Sequence, residues 1–364
     1  MKYFVFYLLI VISGCNKSSS TEAVTAGFEV TLQALKVQSK VPALGAAFIQ
    51  ADREDITVVG EKISGATAPF TARDSFHLGS CSKSMTATVA AILIEEELLS
   101  WDSKLGQLLP DLQLHPEFQN ATFEMLLSHR CGVAADGAES FAGDWLFKAL
   151  QSPILSPTDG RKLYTQKLLE LKPQSVPGSR FNYHNGGYII ASFIMEELTG
   201  QEWENLIRTK LFDPLKMASC GTGPTWGHYK SGSTIIPVKA DNPPSHNSAS
   251  GVHCAMEDWA KYLREHLKGL KNEDGIIRAE SFKKLHTISA NDGQNYTFGG
   301  WVKLKRDWAN GPVYYHNGSN TWNYAQVWIA PNRDAIILSA TNMGGKEAEV
   351  ATDEALAEVI KRNL

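Results

Sequence analysis

The spacing of the hydrophobic residues changes along the chain and predicts sheet-forming segments near both ends. Residues 45–65 predict two strands joined by a charged turn. From residue 295 onward four further short segments rich in β-branched and aromatic residues predict strands. A helix is predicted over residues 22–40, where apolar residues recur near one face at spacings of four, four and three: Val24, Phe28, Leu32 and Leu35.

The middle of the chain has a different pattern. Residues 87–94 are apolar except for Thr88, which predicts a largely buried helix. Helical segments separated by Pro and Gly continue to about residue 290, and a last helix is predicted over about 347–363. We therefore expect an α/β domain over residues 22–364. Its sheet comes from about 22–79 and 291–364, with a helical region over about 80–290 inserted between these parts.

The N-terminus has the pattern of an export signal. Lys2 precedes an apolar run from Tyr3 to Ile12, which is too short for a permanent membrane span. The end of residues 1–15 resembles the lipobox of bacterial lipoproteins, which implies cleavage before Cys15 and acylation of its thiol. A plain signal peptide that happens to contain a cysteine is the alternative. Residues 16–21 are predicted to form a short polar tether, so we expect an exported protein, lipid-anchored to a bacterial membrane.

Composition limits the partners. The chain has 364 residues, 43% of them hydrophobic and 20% charged, with a formal net charge of −4, so a nucleic-acid partner is not expected. Four cysteines remain after Cys15, at irregular spacing: Cys81, Cys131, Cys220 and Cys254. We expect them to be free and buried, although four cysteines in an exported protein allow three pairings. The oligomeric state is not indicated.

The candidate chemistry starts at Ser80-Cys81-Ser82-Lys83. On a helix that begins at Ser80, residues three apart share a face, so Ser80 Oγ and Lys83 Nζ can come within hydrogen-bond reach. A neighbouring neutral lysine can take the proton that a serine must lose to become a nucleophile. A helix N-terminus also favours the negative charge of an acyl-transfer intermediate. Ser281 and Lys284 have the same spacing in a charged segment, where we expect a solvated face.

The tetrapeptide Tyr-His-Asn-Gly occurs twice, at residues 183–186 and 315–318. The first copy follows a Pro-Gly turn and precedes a predicted helix, so Tyr183 and Asn185 are placed on a loop. The second copy lies between β segments, so His316 is placed on or beside a strand. A loop tyrosine is suited to proton transfer, and a strand residue is suited to lining a cleft.

Ser80-x-x-Lys83, Tyr183-x-Asn185 and His316-x-Gly318, in this order, resemble the serine β-lactamase and penicillin-binding protein superfamily. The branch of class C β-lactamases, D-alanyl-D-alanine carboxypeptidases and related esterases is the most similar. Supporting stretches span most of the chain: residues 125–133, 183–201, 249–263 and 318–331. The resemblance implies the β-lactamase/transpeptidase-like fold, an antiparallel sheet flanked by helices.

The resemblance also implies roles for individual residues. Ser80 would be the acylated nucleophile, with Lys83 and Tyr183 sharing proton transfer. Asn185 would contact the substrate, and His316 would orient Tyr183 or bind a substrate carboxylate. The backbone N–H groups of Ser80 and of Ser319, directly after Gly318, would form the oxyanion hole. Catalysis would need no metal and no cofactor.

Rival interpretations are weaker. Cys81 lies about 100° around a helix from Ser80, so we expect it to be buried and inert. His246, His253 and Cys254 give only a weak zinc signal, and we favour a structural role. The chain has neither G-x-S-x-G nor H-E-x-x-H, which gives no support to an α/β-hydrolase or a zincin.

Departures from the family pattern bear on the substrate. Histidine stands where many members have lysine in the third motif, and it is only partly charged near neutral pH, so a free carboxylate should bind less well. Trp322 and Tyr324 are placed to narrow the cleft. We expect a serine hydrolase that acts on a small-molecule or peptide ester or amide through an acyl-enzyme. β-Lactamase activity and a non-catalytic lipoprotein that binds cell-wall peptides are the alternatives.

Overall fold

The computed structural model describes residues 18–134, 149–152 and 154–364, with side chains from residue 27 onward. The predicted signal peptide with Cys15 and the first two tether residues lie outside the described residues. The first helix begins at Ser18, so the last four residues of the predicted tether belong to this helix. Within the described ranges, no helix is both long and apolar enough to cross a bilayer.

Eleven named strands are found in the described residues. They are β1 Ala43–Ile49, β2 Glu54–Gly60, β3 Phe76–His77, β4 Gly221–Thr222, β5 Thr225–Ser231, β6 Thr234–Ala240, β7 Val252–Cys254, β8 Val302–Arg306, β9 Gly311–Ser319, β10 Tyr324–Ala330 and β11 Ala335–Thr341.

The α-helices are numbered in the same way. They are α1 Ser18–Ser39, α2 Ser82–Glu95, α3 Leu105–Leu108, α4 Phe123–Leu127, α5 Pro157–Leu169, α6 Gly186–Thr199, α7 Trp203–Ile207, α8 Asn247–Ser250, α9 Met256–Leu270, α10 Ala279–Leu285 and α11 Lys346–Asn363.

The large sheet has six strands in the order β2-β1-β11-β10-β9-β8, and all of its neighbours are antiparallel. Strands from the two ends of the chain meet where β1 pairs with β11, with Leu44 opposite Thr341. This is the predicted fold class, a mixed structure of helices and antiparallel strands. The region between residues 80 and 290 is mainly helical but also holds β4 to β7.

Helices cover both faces of the large sheet. β1 and β11 are buried at every position, which is why their sequences are mostly apolar and lack the alternation of a half-exposed strand. On one face the helices α1 and α11 contribute Leu32 and Val359 to a core with Phe48 and Ile337. The opposite face packs against α9 and the helical region in a second, larger core.

A small sheet in the order β3-β7-β4 supports the start of α2. His77 on β3 is opposite His253 on β7, and Gly221 on β4 is opposite the same residue. Leu78, directly after β3, donates its N–H to the Val252 carbonyl at 2.8 Å. Strands of two or three residues have no readable hydrophobic period, so the sequence does not reveal this sheet.

Candidate active site

The segment around Ser80 is a tight turn that leads into a helix. A 3-10 turn at Gly79–Cys81 precedes α2, so the α-helix begins two residues later than predicted. Ser82 Oγ donates to the Gly79 carbonyl at 2.7 Å and accepts from the Val252 N–H at 3.0 Å. Ser82 is therefore a buried structural residue, whereas Ser80 remains partly exposed.

Lys83 is fully buried, and its ammonium group has three hydrogen-bond acceptors. Nζ donates to Ser80 Oγ at 3.1 Å, to Asn185 Oδ1 at 2.8 Å and to the Ala249 carbonyl at 2.9 Å. These three acceptors match the three donors of an ammonium group and compensate its burial. After loss of one proton, the nitrogen lone pair can accept the hydroxyl proton of Ser80.

Tyr183 lies on the loop before α6 with 43% of its surface exposed. Lys83 Nζ is 4.9 Å from the centre of the Tyr183 ring. The structure therefore brings together Ser80, Lys83, Tyr183 and Asn185, which are separated by about 100 residues in the chain. No hydrogen bond of the Tyr183 hydroxyl is seen among the described residues, so this group is accessible to a substrate.

His129 is a member of the site that the sequence interpretation did not assign. Its carbonyl accepts from the Asn182 N–H at 2.9 Å, and its Nδ1 accepts from the His184 N–H at 3.4 Å. These two bonds flank Tyr183, whose ring centre is 4.3 Å from that of His129. His129 has φ of 58°, a left-handed conformation that is uncommon for a residue with a side chain.

The charge state of His129 follows from its surroundings. Burial lowers the pKa of His129 well below its usual value, and the nearby His184 and Lys83 charges lower it further. A neutral ring that accepts at Nδ1 must carry its proton on Nε2, which lies 3.1 Å from the Tyr296 hydroxyl. The segment 125–133 was recognised as similar to the family, and His129 lies inside it. That segment was the available signal for this residue.

His316 lies on β9 with its ring buried in the cleft. Its Nδ1 donates to the Asn317 carbonyl at 2.6 Å. Burial, and secondarily the charge of Lys83, lowers the pKa of His316 to about 3. The ring is therefore neutral at physiological pH, and the expectation of a partly charged histidine is wrong. A neutral imidazole does not supply the positive charge that a carboxylate would need.

Gly318 and Ser319 meet the turn that carries Ser80. A Cβ atom on Gly318 would lie 2.5 Å from the Ser80 backbone nitrogen, and one on Gly79 would lie 2.3 Å from that of Ser319. Gly79 also has φ of 51°, which favours glycine. Only glycines allow this approach of two backbones, and it brings the backbone nitrogens of Ser80 and Ser319 close together.

A cavity of about 440 Å³ adjoins Tyr183 and His316. Its other lining residues are Phe181, Gln294, Tyr296, Val302 and Asn317. None of these described lining residues carries a formal charge when His316 is neutral. The cavity is suited to an apolar, uncharged group.

Two of the four cysteines differ from the expectation. Cys220 and Cys254 form a disulfide with a Cα–Cα distance of 4.2 Å, because they lie opposite each other where β4 and β7 pair. Cys81 and Cys131 are free and buried as predicted, and burial raises the pKa of both thiols. Cys254 has no free thiolate for a metal. Among the described residues, no group of three or more His, Cys, Asp or Glu side chains is arranged to hold a metal ion.

The fold and this site define the class of the protein, a serine hydrolase. The chain belongs to the Beta-lactamase family, whose model matches residues 29–361. Penicillin-binding protein 4 of Amycolatopsis lactamdurans is 24% identical over 351 residues, covering 90% of this chain and 87% of that protein. The predicted membership of the serine β-lactamase and penicillin-binding protein superfamily is thus confirmed.

Solved structures share the fold. The octameric penicillin-binding protein homologue from Pyrococcus abyssi has a TM-score of 0.78 at 20% identity, covering 93% of this chain and 78% of that one. A D-stereospecific amidohydrolase from Streptomyces sp. has a TM-score of 0.69 at 18% identity, covering 92% and 98% of the two chains.

Proposed function

We propose that the protein hydrolyses an ester or amide through an acyl-enzyme on Ser80. The observation that carries this proposal is the position of the buried Lys83 Nζ, 3.1 Å from Ser80 Oγ and 4.9 Å from the centre of the Tyr183 ring. If Ser80 were only a helix-capping residue, it would not need a hydrogen bond from a buried lysine to its hydroxyl group. Amidohydrolase and penicillin-binding protein names among the similar proteins support acyl transfer.

In the first half-reaction, neutral Lys83 accepts the Ser80 hydroxyl proton as Oγ forms a bond to the substrate carbonyl carbon. The N–H groups of Ser80 and Ser319 stabilise the negative charge on the carbonyl oxygen. The leaving oxygen or nitrogen takes a proton from Tyr183 or Lys83 as its bond to the carbonyl carbon breaks. Water then attacks the acyl carbon and passes a proton to the same pair. This pair returns a proton to Ser80 Oγ as the bond between Oγ and the acyl carbon breaks, which releases the acid and restores the Ser80 hydroxyl.

The charge of the cleft supports a particular type of substrate. His316 is buried and neutral, and the adjoining cavity is lined by aromatic and uncharged residues. We propose that the group next to Tyr183 and His316 is apolar and carries no carboxylate. This favours an ester or a blocked amide over a peptide that ends in free D-Ala-D-Ala. The sequence shows no glutamate placed like the deacylating residue of class A β-lactamases, so β-lactam turnover is the second candidate.

The experiment compares p-nitrophenyl phenylacetate, a chromogenic cephalosporin and a D-Ala-D-Ala peptide. Each is given to the wild type, to Ser80→Ala and to the control Ser281→Ala, which removes the serine of the second S-x-x-K sequence. We expect ester turnover in the wild type and the control only. A fluorophosphonate should add its mass to these two proteins and not to Ser80→Ala. If the wild type turns over none of the substrates and takes no label, the non-catalytic alternative replaces this proposal.

We also propose that the protein is exported and held to a bacterial membrane by lipid on Cys15. The apolar run before Cys15 supports this, and the Cys220–Cys254 disulfide is typical of an oxidising compartment. Mass spectrometry of the N-terminus tests it, with Cys15→Ala as the control that loses the membrane association. An unmodified Cys15 still attached to residues 1–14 would refute the anchor.

A further inference from the structure

A buried chain of side chains connects the two backbone segments that carry the N–H groups of Ser80 and Ser319. It consists of His77 before the nucleophile turn, Asp241 after β6, and Asn320 directly after Ser319. Among the described residues, none of the three is hydrogen-bonded to Ser80 Oγ, whereas Lys83 Nζ donates to it at 3.1 Å. Their described hydrogen bonds are mainly to backbone N–H groups and to each other, and Asn320 Oδ1 also accepts from Asn323 Nδ2 at 3.2 Å.

The first contact fixes the nucleophile turn. Gly79 donates its N–H to His77 Nδ1 at 3.1 Å, so this nitrogen is an acceptor and the ring proton lies on Nε2. Nε2 donates to Asp241 Oδ2 at 2.9 Å, and both side chains are almost wholly buried. The carboxylate therefore holds the ring in the orientation and tautomer that receive the Gly79 N–H.

The second contact fixes the loop after the third motif. The other carboxylate oxygen of Asp241, Oδ1, accepts from Asn320 Nδ2 at 3.2 Å and from the Asn242 N–H at 2.8 Å. Asn320 Oδ1 in turn accepts from the N–H groups of Trp322 at 3.2 Å and Asn323 at 3.0 Å. One buried carboxylate thus uses one oxygen for each segment.

We propose that His77 and Asp241 are positioning residues that set the spacing of the oxyanion-hole N–H groups of Ser80 and Ser319. The inference rests on the proposed function, because only an acyl-transfer reaction requires the oxyanion hole that these residues would position. The close approach of Gly79 and Gly318 brings the two segments together, but it does not fix how they are rotated relative to each other. The hydrogen bonds of the network to Gly79 and through Asn320 fix this rotation.

The geometry explains why such a device is useful. An oxyanion hole works when both donors lie about 2.7–3.1 Å from the developing negative charge, and loss of one donor costs about 10²–10³ in kcat. The two donors come from segments about 240 residues apart: Ser80 lies in the turn that follows the small sheet, and Ser319 ends strand β9 of the large sheet. Small shifts between these sheets would misplace a donor unless the segments are bonded to each other.

The test compares an ester with the matched thionoester, whose sulfur makes poor use of an oxyanion hole. The variants are Asp241→Ala, which removes both acceptors, and Asp241→Asn, which keeps an acceptor for His77 or for Asn320 but not for both. His253→Asn is the control, since His253 lies opposite His77 on the same small sheet and outside the network. Thermal unfolding of each variant reports its folded fraction.

For Asp241→Ala we expect kcat on the ester to fall about tenfold to a hundredfold, with KM within about threefold of the wild type. The ester-to-thionoester ratio of kcat should fall by a similar factor, because the thionoester rate depends little on the hole. Asp241→Asn should lie between the wild type and Asp241→Ala, and His253→Asn should keep the wild-type ratio. The rate of fluorophosphonate labelling should fall in the same order, and it requires no turnover.

If Asp241 had a purely structural role, its removal would lower kcat equally on the ester and the thionoester. The ratio of the two kcat values would then be unchanged, which would overturn the inference. The inference would also be overturned if Asp241→Ala had the labelling rate and the ester-to-thionoester kcat ratio of the wild type. If the wild type is labelled and only the ratio fails to change, the proposed function stands and this inference alone falls. If the wild type takes no label and hydrolyses neither substrate, the proposed function fails and the inference falls with it.

Discussion

The two Tyr-His-Asn-Gly segments have the same four residues but contribute different ones to the site. The loop copy contributes its first and third residues, and the strand copy contributes its second and fourth. In the loop copy, Lys83 Nζ donates to Asn185 Oδ1 and lies 4.9 Å from the Tyr183 ring centre, whereas His184 accepts the Gly187 N–H at 3.0 Å at the start of α6. In the strand copy, His316 is buried in the cleft and Gly318 touches the Ser80 turn.

The other two side chains of the strand copy, Tyr315 and Asn317, are hydrogen-bonded to residues of the neighbouring strand β10. Tyr315 packs its ring against Trp328 and donates its hydroxyl proton to Gln326 Oε1 at 3.2 Å. Asn317 donates to the Tyr324 hydroxyl at 2.7 Å. Alternation along a strand sends neighbouring residues to opposite faces, so selecting His316 excludes Tyr315. The backbone conformation, and not the residue types, decides which side chains of an identical tetrapeptide take part in chemistry.

The largest difference between the copies is expected for their tyrosines. Tyr183→Phe removes a proton-transfer group, so kcat on the ester should fall by about 10²-fold or more. Tyr315→Phe keeps the ring packing and should change kcat less than about twofold. Steady-state kinetics of the two variants measure this. Equal losses would mean that Tyr183 has no special role in proton transfer.

The two glycines should differ next. Ala at position 318 would place its Cβ 2.2 Å from the Leu78 carbonyl oxygen, a backbone atom, so the Ser80 turn must move. We expect a loss of about 1–3 kcal/mol of unfolding free energy and about 10²-fold in kcat.

Gly186→Ala is the matched change in the loop copy. Its Cβ would be 3.0 Å from the Tyr164 hydroxyl and 3.2 Å from a Val133 methyl group, both of which are side-chain atoms. Small side-chain movements relieve such contacts, so denaturant unfolding should stay within about 1 kcal/mol of the wild type. A loss as large as that of Gly318→Ala would contradict the assigned approach of the two backbones.

Substitution of the two asparagines should change kcat less than substitution of the tyrosines or glycines. Asn185→Ala leaves one buried donor of Lys83 without its acceptor, which costs about 1–3 kcal/mol. We expect kcat to fall about tenfold, since Nζ can then rotate away from Ser80 Oγ. Asn317→Ala removes only a partly exposed contact to Tyr324 and should have less than a twofold effect. The comparison fails if kcat of the two variants is equal.

The smallest effect is the pH dependence of stability that His316 contributes. Its pKa is about 3 in the folded protein and about 6.5 when unfolded, so the unfolded chain binds the proton more readily. The contribution is present above pH 6.5 and is lost as pH falls toward 3. Between pH 7.5 and 5, His316→Asn should therefore lose about 2 kcal/mol less unfolding free energy than the wild type. Asn317→Ala, which changes no titrating group, should follow the wild-type curve in urea titrations.

Most of the fold could be predicted from local patterns in the sequence, whereas the roles of the site residues beyond Ser80 and Lys83 came from the resemblance to the family. Ser80 and Lys83 are three residues apart, and the strands of the large sheet are long enough for their composition to be read. The Cys220–Cys254 pair and the small sheet escaped prediction because they depend on pairing between strands of two or three residues. The neutrality of His316 and the role of His129 depend on burial by segments far away in the chain, which no local pattern encodes.

The pairing of β1 with β11 has a consequence for how the molecule is made. The inner strand at residues 335–341 lies between β1 and β10, so the large sheet cannot close until the last tenth of the chain is present. Both main cores also contain residues of this strand, so neither is complete in a chain that is still being synthesised before residue 335. The strand that joins the two ends of the chain in the sheet is therefore among the last parts of the protein to be synthesised.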